Sequence, residues 1–83
     1  MKKNYKIIVY EVEVEEFGMV TKVLEDDFTT KKIALEYYKN VQRNEENHNF
    51  FWNPPEKYKE VEILIYLYQD FKVIKRTIIK KKG

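Results

Sequence analysis

Eighty-three residues with two glycines, no cysteine and a net charge of +2 describe one small domain, 1–83, that must hold together by packing. The charge is too small to imply a nucleic-acid or membrane partner by itself, and no apolar stretch approaches the roughly 20 residues that span a bilayer. Without cysteine there are no disulfides and no thiolate metal sites, and a cytoplasmic protein is expected, since Lys2-Lys3 precede an apolar run of only Ile7 to Tyr10, too short for a signal peptide.

Residues 4–15 alternate and predict a first strand. Ile8, Tyr10, Val12 and Val14 fall on one face. Tyr5, Ile7 and Val9 fall on the other, which turns acidic at Glu11, Glu13 and Glu15, as if the strand left cover for water. Glu16-Phe17-Gly18-Met19 supplies a turn, Gly18 being able to take positive φ. Residues 19–26 return as a second strand, with Val20, Lys22 and Leu24 alternating against Met19, Thr21 and Val23.

From Asp27 the period changes. Thr29 or Thr30 can cap a helix, and Ile33, Ala34, Tyr37, Tyr38 and Val41 then recur as one helical stripe. Lys31, Lys32, Glu36, Lys39 and Arg43 lie on the outer side. The pattern predicts about three and a half turns, ending near Asn44. Residues 45–57 show no period, and Pro54-Pro55 forbid a regular helix or a central strand.

Residues 58–68 and 71–80 predict a second hairpin that turns at Gln69-Asp70, with 80–83 a frayed basic tail. Both faces of its first strand are apolar. Val61, Ile63, Ile65 and Leu67 share one side; Leu64, Tyr66 and Tyr68 share the other. The expected fold is therefore α+β, in the order ββαββ. It is a four-stranded, mainly antiparallel sheet with one helix on one face, the first and third strands central and their relative direction open.

Little in the chain supports catalysis. His48 stands in a loop with no serine or cysteine to activate. Glu45, Glu46 and His48 fall short of a zinc ligand set. Glu25-Asp26-Asp27 do not follow the spacing of a calcium loop, and glycine at positions 18 and 83 leaves no phosphate cradle. The protein is read as non-enzymatic, with no cofactor and no metal.

Two features point to binding. Phe50, Phe51 and Trp52 are three successive large aromatics that cannot all turn inward, so they either plug the core or anchor a partner. The face carrying Leu64, Tyr66 and Tyr68, expected to be joined by Tyr5, Ile7 and Val9, exceeds what one short helix can cover. Charge is also segregated. Residues 11–27 hold seven acids against Lys22, and residues 71–83 hold six bases and no acid. The two segments are expected to attract across the sheet or to balance at its rims. Glu11, Glu13, Glu15 and Glu16 form a candidate strip for a basic, nucleic-acid-binding groove on a partner.

The expected function is a protein–protein interaction module, with a host protein or a second copy as partner and a homodimer among the outcomes. Fourteen lysines against two arginines, with many Ile, Asn and Tyr, are what AT-rich coding yields. They point to a low-GC bacterium or its phages, and to a phage-type inhibitor that occupies the surface of a host defence protein. One alternative is a small nucleic-acid binder using Lys72, Lys75, Arg76 and Lys80 with the sheet aromatics. Another is a self-assembling structural subunit.

Overall fold

The computed structural model describes residues 4–14, 20–47 and 60–82. Strand β1 (Tyr5–Glu13) and strand β2 (Val20–Phe28) are followed by helix α1 (Lys31–Asn47), then by strands β3 (Glu60–Gln69) and β4 (Lys72–Lys82). The strands form one sheet in the order β2-β1-β3-β4, every neighbour antiparallel. The expected ββαββ plan holds, with β1 and β3 central, and the direction left open by sequence is antiparallel.

The two most apolar strands take the centre because a central strand buries both neighbours' flanks as well as its own face. Tyr5, Ile7 and Val9 of β1 and Val61, Ile63, Ile65 and Leu67 of β3 point to one side. There they close a core with Ala34 and Tyr38 of α1. Burying each of the Val, Ile and Leu side chains among them stabilises the fold by roughly 1.5–3 kcal/mol. Val14 N–H donates to the Glu60 carbonyl at 3.1 Å, carrying the β1–β3 ladder one residue further.

The helix begins where the capping pattern places it, Ala34 N–H donating to the Thr30 carbonyl at 3.0 Å. It continues past Asn44 to Asn47, about one turn beyond the end that its pattern predicts. The extra turn carries Glu45, which reaches a partner on β4. The roll of the helix also differs from expectation. Ala34, Tyr38 and Glu45 are buried, with Val41 and Gln42 half-buried between them, while Ile33 is 53 % exposed. Tyr38 sets this roll, because its hydroxyl crosses the core to the Ile65 carbonyl (3.3 Å) and to Thr77 Oγ1. On the flank toward β2, Tyr37 donates to Asp26 Oδ2 at 2.6 Å and stacks at a tilt on Phe28, ring centroids 4.9 Å apart.

Two irregularities reset which side chains share a face. The β1–β2 register slips between Val9 and Tyr10, so that Leu24 faces Val9 but Lys22 faces Tyr10. The extra residue, Val23, inverts the alternation. Val20 and Lys22 therefore lie on the side away from the helix, and Leu24 on the helix side, although simple alternation put all three together. A second slip between Leu67 and Tyr68 makes Ile74 the extra residue of β4.

The β3–β4 hairpin turns one residue later than expected, at Asp70-Phe71, both with positive φ (49° and 72°). A two-residue loop flanked by the Gln69–Lys72 pair with this conformation is a type I′ turn, which suits the twist of a hairpin. Asp70 is tied down twice: its N–H donates to the Asn4 carbonyl at 2.9 Å, and its Oδ1 accepts from the Asn4 N–H at 3.1 Å.

The basic end of the chain does not fray at Lys80. Strand β4 continues to Lys82, and Lys81 is buried with its Nζ 2.7 Å from Glu45 Oε2. Side-chain exposures of 5 % and 3 % make this a buried ion pair, clamping the last turn of α1 to the edge strand.

Candidate functional site

Alternation along β3 leaves Leu64, Tyr66 and Tyr68 on the face opposite α1, all half-buried. Their neighbours follow from the ladders. On β1, Lys6 pairs with Tyr68, Ile8 with Tyr66, and Tyr10 with Leu64. The expected companions Tyr5, Ile7 and Val9 are instead under the helix, each at most 5 % exposed. The inversion has a plain cause: both faces of β1 start apolar, so the strand's own sequence does not say which face the helix takes. On β4, Val73, Arg76 and Ile78 pair with Tyr68, Tyr66 and Leu64. On β2, Asp27, Glu25 and Lys22 pair with Lys6, Ile8 and Tyr10.

The resulting face has an aromatic and aliphatic centre between two charged margins. Tyr10 and Tyr66 meet edge to face with centroids 5.9 Å apart, and Tyr66 lies 6.1 Å from Tyr68, arrangements that aromatic quadrupoles favour. Burial among these rings pushes the Tyr68 hydroxyl upward from its ordinary pKa, with Tyr10 and Tyr66 adding to it. At the β2 margin Lys22 Nζ sits 2.8 Å from Glu25 Oε2, and Lys6 reaches Glu25 at 3.7 Å and Asp27 at 3.8 Å. The Lys22 hydrogen bond holds Glu25 below the usual carboxylate range and raises Lys22 in turn. At the β4 margin stand Arg76 and Lys80. On this face the charges of β2 and β4 thus stand at opposite rims of the sheet.

One end of this face is hollowed. Lys6, Ile8, Asp27, Tyr68 and Phe71 line a concavity of about 590 Å³ beside the Asp70-Phe71 turn. Phe71 is 93 % exposed and holds φ at 72°. That conformation is easy for glycine and costs a phenylalanine roughly 1–2 kcal/mol. With its ring given to water, no packing within the single chain offsets that cost. Nothing in the sequence pattern singled this residue out; an aromatic in the second position of a two-residue turn, where glycine is usual, was the available signal.

The other expected contact residues scatter. Glu11 is 5 % exposed and on the helix side, and Glu13 is half-buried, so the acidic strip does not run along open water: β1 is central, and its acidic positions are covered by neighbours. Glu15, Glu16, Phe50, Phe51 and Trp52 lie outside the described residues, as does His48. The basic set divides between faces. Lys75 lies on the helix side with Nζ 5.1 Å from the Tyr38 ring centroid, a cation–π contact; Arg76 and Lys80 lie on the open side; Lys72 flanks the turn. Two of these cations, Arg76 and Lys80, thus share the face of the tyrosine rings, Arg76 directly beside Tyr66, and Lys75 does not.

Among the described residues no group of three His, Asp or Glu side chains could hold a metal ion, and no helix is long and apolar enough to cross a membrane. No protein-family model matches the chain, and comparison with curated proteins and with solved structures likewise finds no match. Function is therefore read from the face itself.

Proposed function

We propose that this chain is a non-enzymatic interaction protein that works by laying its open sheet face on another macromolecule. One observation carries the reading: Tyr10, Leu64, Tyr66 and Tyr68, with Ile8 and Ile78, form a continuous apolar and aromatic patch opposite the helix, rimmed by charge. Contiguous patches of this kind mark contact surfaces, and tyrosine suits them because its ring is apolar while its hydroxyl tolerates water.

The experiment is site-directed photocrosslinking in the native cell background. A photoreactive phenylalanine analogue at Tyr66 is expected to give discrete protein adducts; the same analogue at Lys39, on the exposed side of α1, is expected to give none. Adducts from position 39 with none from position 66 would overturn the choice of face.

A further inference from the structure

Taking the open face as the contact surface, we infer that its occupant is a second copy of this chain, packed sheet on sheet about a two-fold axis parallel to the strands. The inference rests on that interaction reading and names the partner. Stacked sheets keep their strands within about 30° of one another, which leaves two ways to place a two-fold axis between the faces. An axis across the strands sets each β4 over its mate, with Arg76 and Lys80 facing Arg76 and Lys80. An axis along the strands sets each β2 over the other copy's β4, so that Glu25 of one copy faces Arg76 of the other.

The ladders show how well the second arrangement matches. Glu25, Ile8, Tyr66 and Arg76 lie in one row across the sheet. Turning that row about its midpoint places Glu25 over Arg76, and Ile8 over Tyr66, each twice. The next row, Lys22, Tyr10, Leu64 and Ile78, places Tyr10 over Leu64 and lays Lys22, its ammonium held by Glu25, over Ile78. The same rotation carries Phe71 from the β3–β4 end to the β1–β2 side, above the hollow between Lys6 and Asp27 in the facing copy. It gives the exposed, strained ring a place to go. An isologous contact needs this kind of self-match.

Size and competing contacts favour the same arrangement. Four strands about 4.8 Å apart and some nine residues long project roughly 500–600 Å². With side-chain relief and the Phe71 knob this approaches the roughly 800 Å² per partner of a stable complex. Edge-to-edge pairing of two β4 strands is disfavoured, because Lys72, Lys75, Arg76 and Lys80 would meet their own copies, a usual protection of a sheet edge.

Sedimentation velocity on the full chain across the micromolar range tests the inference. A reversible dimer is expected. Arg76→Glu and Glu25→Arg are each expected to weaken it about tenfold or more, and the two together to recover most of the loss. Phe71→Gly separates contact from folding, since it relieves the turn and raises the monomer's melting temperature while still weakening association. A strict monomer, a charge exchange that recovers nothing, or a Phe71→Gly dimer as tight as wild type would each overturn the second copy as occupant. A strict monomer that still gives adducts to another protein from position 66 leaves the interaction reading standing; one that gives none sinks both.

Discussion

Tyr37 and Tyr38 are adjacent on α1 and hold it to the sheet through different bonds. Tyr38 is fully buried, and burial raises its hydroxyl pKa against the opposing hydrogen bond with Thr77. Tyr37 is half-exposed, and its bond to the Asp26 carboxylate pushes it from 10.0 up to about 12. The unfolded phenol ionises near pH 10, so the Tyr37 bond contributes in full below that value and is lost as pH rises toward 12. Solvent at the ring limits the bond to about 1 kcal/mol. Tyr37→Phe is expected to cost that much in urea melts at neutral pH and to flatten the decline between pH 10 and 12; an unchanged alkaline slope would show that the bond does not govern it. Glu45 and Lys81 pose a larger stake, because both charges are out of water. Lys81→Met takes the ammonium away from a buried carboxylate and is expected to destabilise by about 3 kcal/mol. Pairing it with Glu45→Leu should recover part of that loss, as thermal melts of the two variants would show.

At the scale of elements, the helix is the one whose charges run against it. Lys31 and Lys32 occupy its first turn and Glu45 and Glu46 its last, both unfavourable to the helix dipole, so packing and the β4 clamp hold it in place. The apolar pattern stops short of its end because Glu45 looks like a solvated residue until β4 brings Lys81 beneath it. The element order and the two central strands were legible because β1 and β3 are apolar at period two without interruption. Face assignments on β2 and β4 were not, since each depends on one inserted residue, Val23 or Ile74, that leaves no mark in composition. The late turn at Asp70-Phe71 was hidden because glycine, its usual signal, is missing. That residue choice has a measurable consequence. Phe71→Gly is expected to stabilise the hairpin by about 1 kcal/mol in denaturant melts; a loss instead would show that the Phe71 ring supports the fold of the single copy.

For the whole molecule, the division of charge matters more than its sum. The net charge of +2 hides an acidic margin on β2 and a basic one on β4, set apart by the two central strands. Half of the open face was readable in advance: that Leu64, Tyr66 and Tyr68 share a side follows from β3 alone. The β1 half required the register, because a strand apolar on both sides does not reveal which side the helix will choose. Salt distinguishes what holds two such faces together. Apolar stacking alone is indifferent to added sodium chloride or is slightly strengthened by it. In the proposed dimer, the Glu25–Arg76 contact would instead be screened as the Debye length falls from about 10 Å at 0.1 M to about 3 Å at 1 M. The wild-type dimer is therefore expected to weaken several-fold over that range in sedimentation runs. Arg76→Glu, which sets like charges against each other, is expected to respond in the opposite sense and associate better as salt rises. If both chains instead show the same salt response, the two margins do not meet, and the two-fold axis does not lie along the strands.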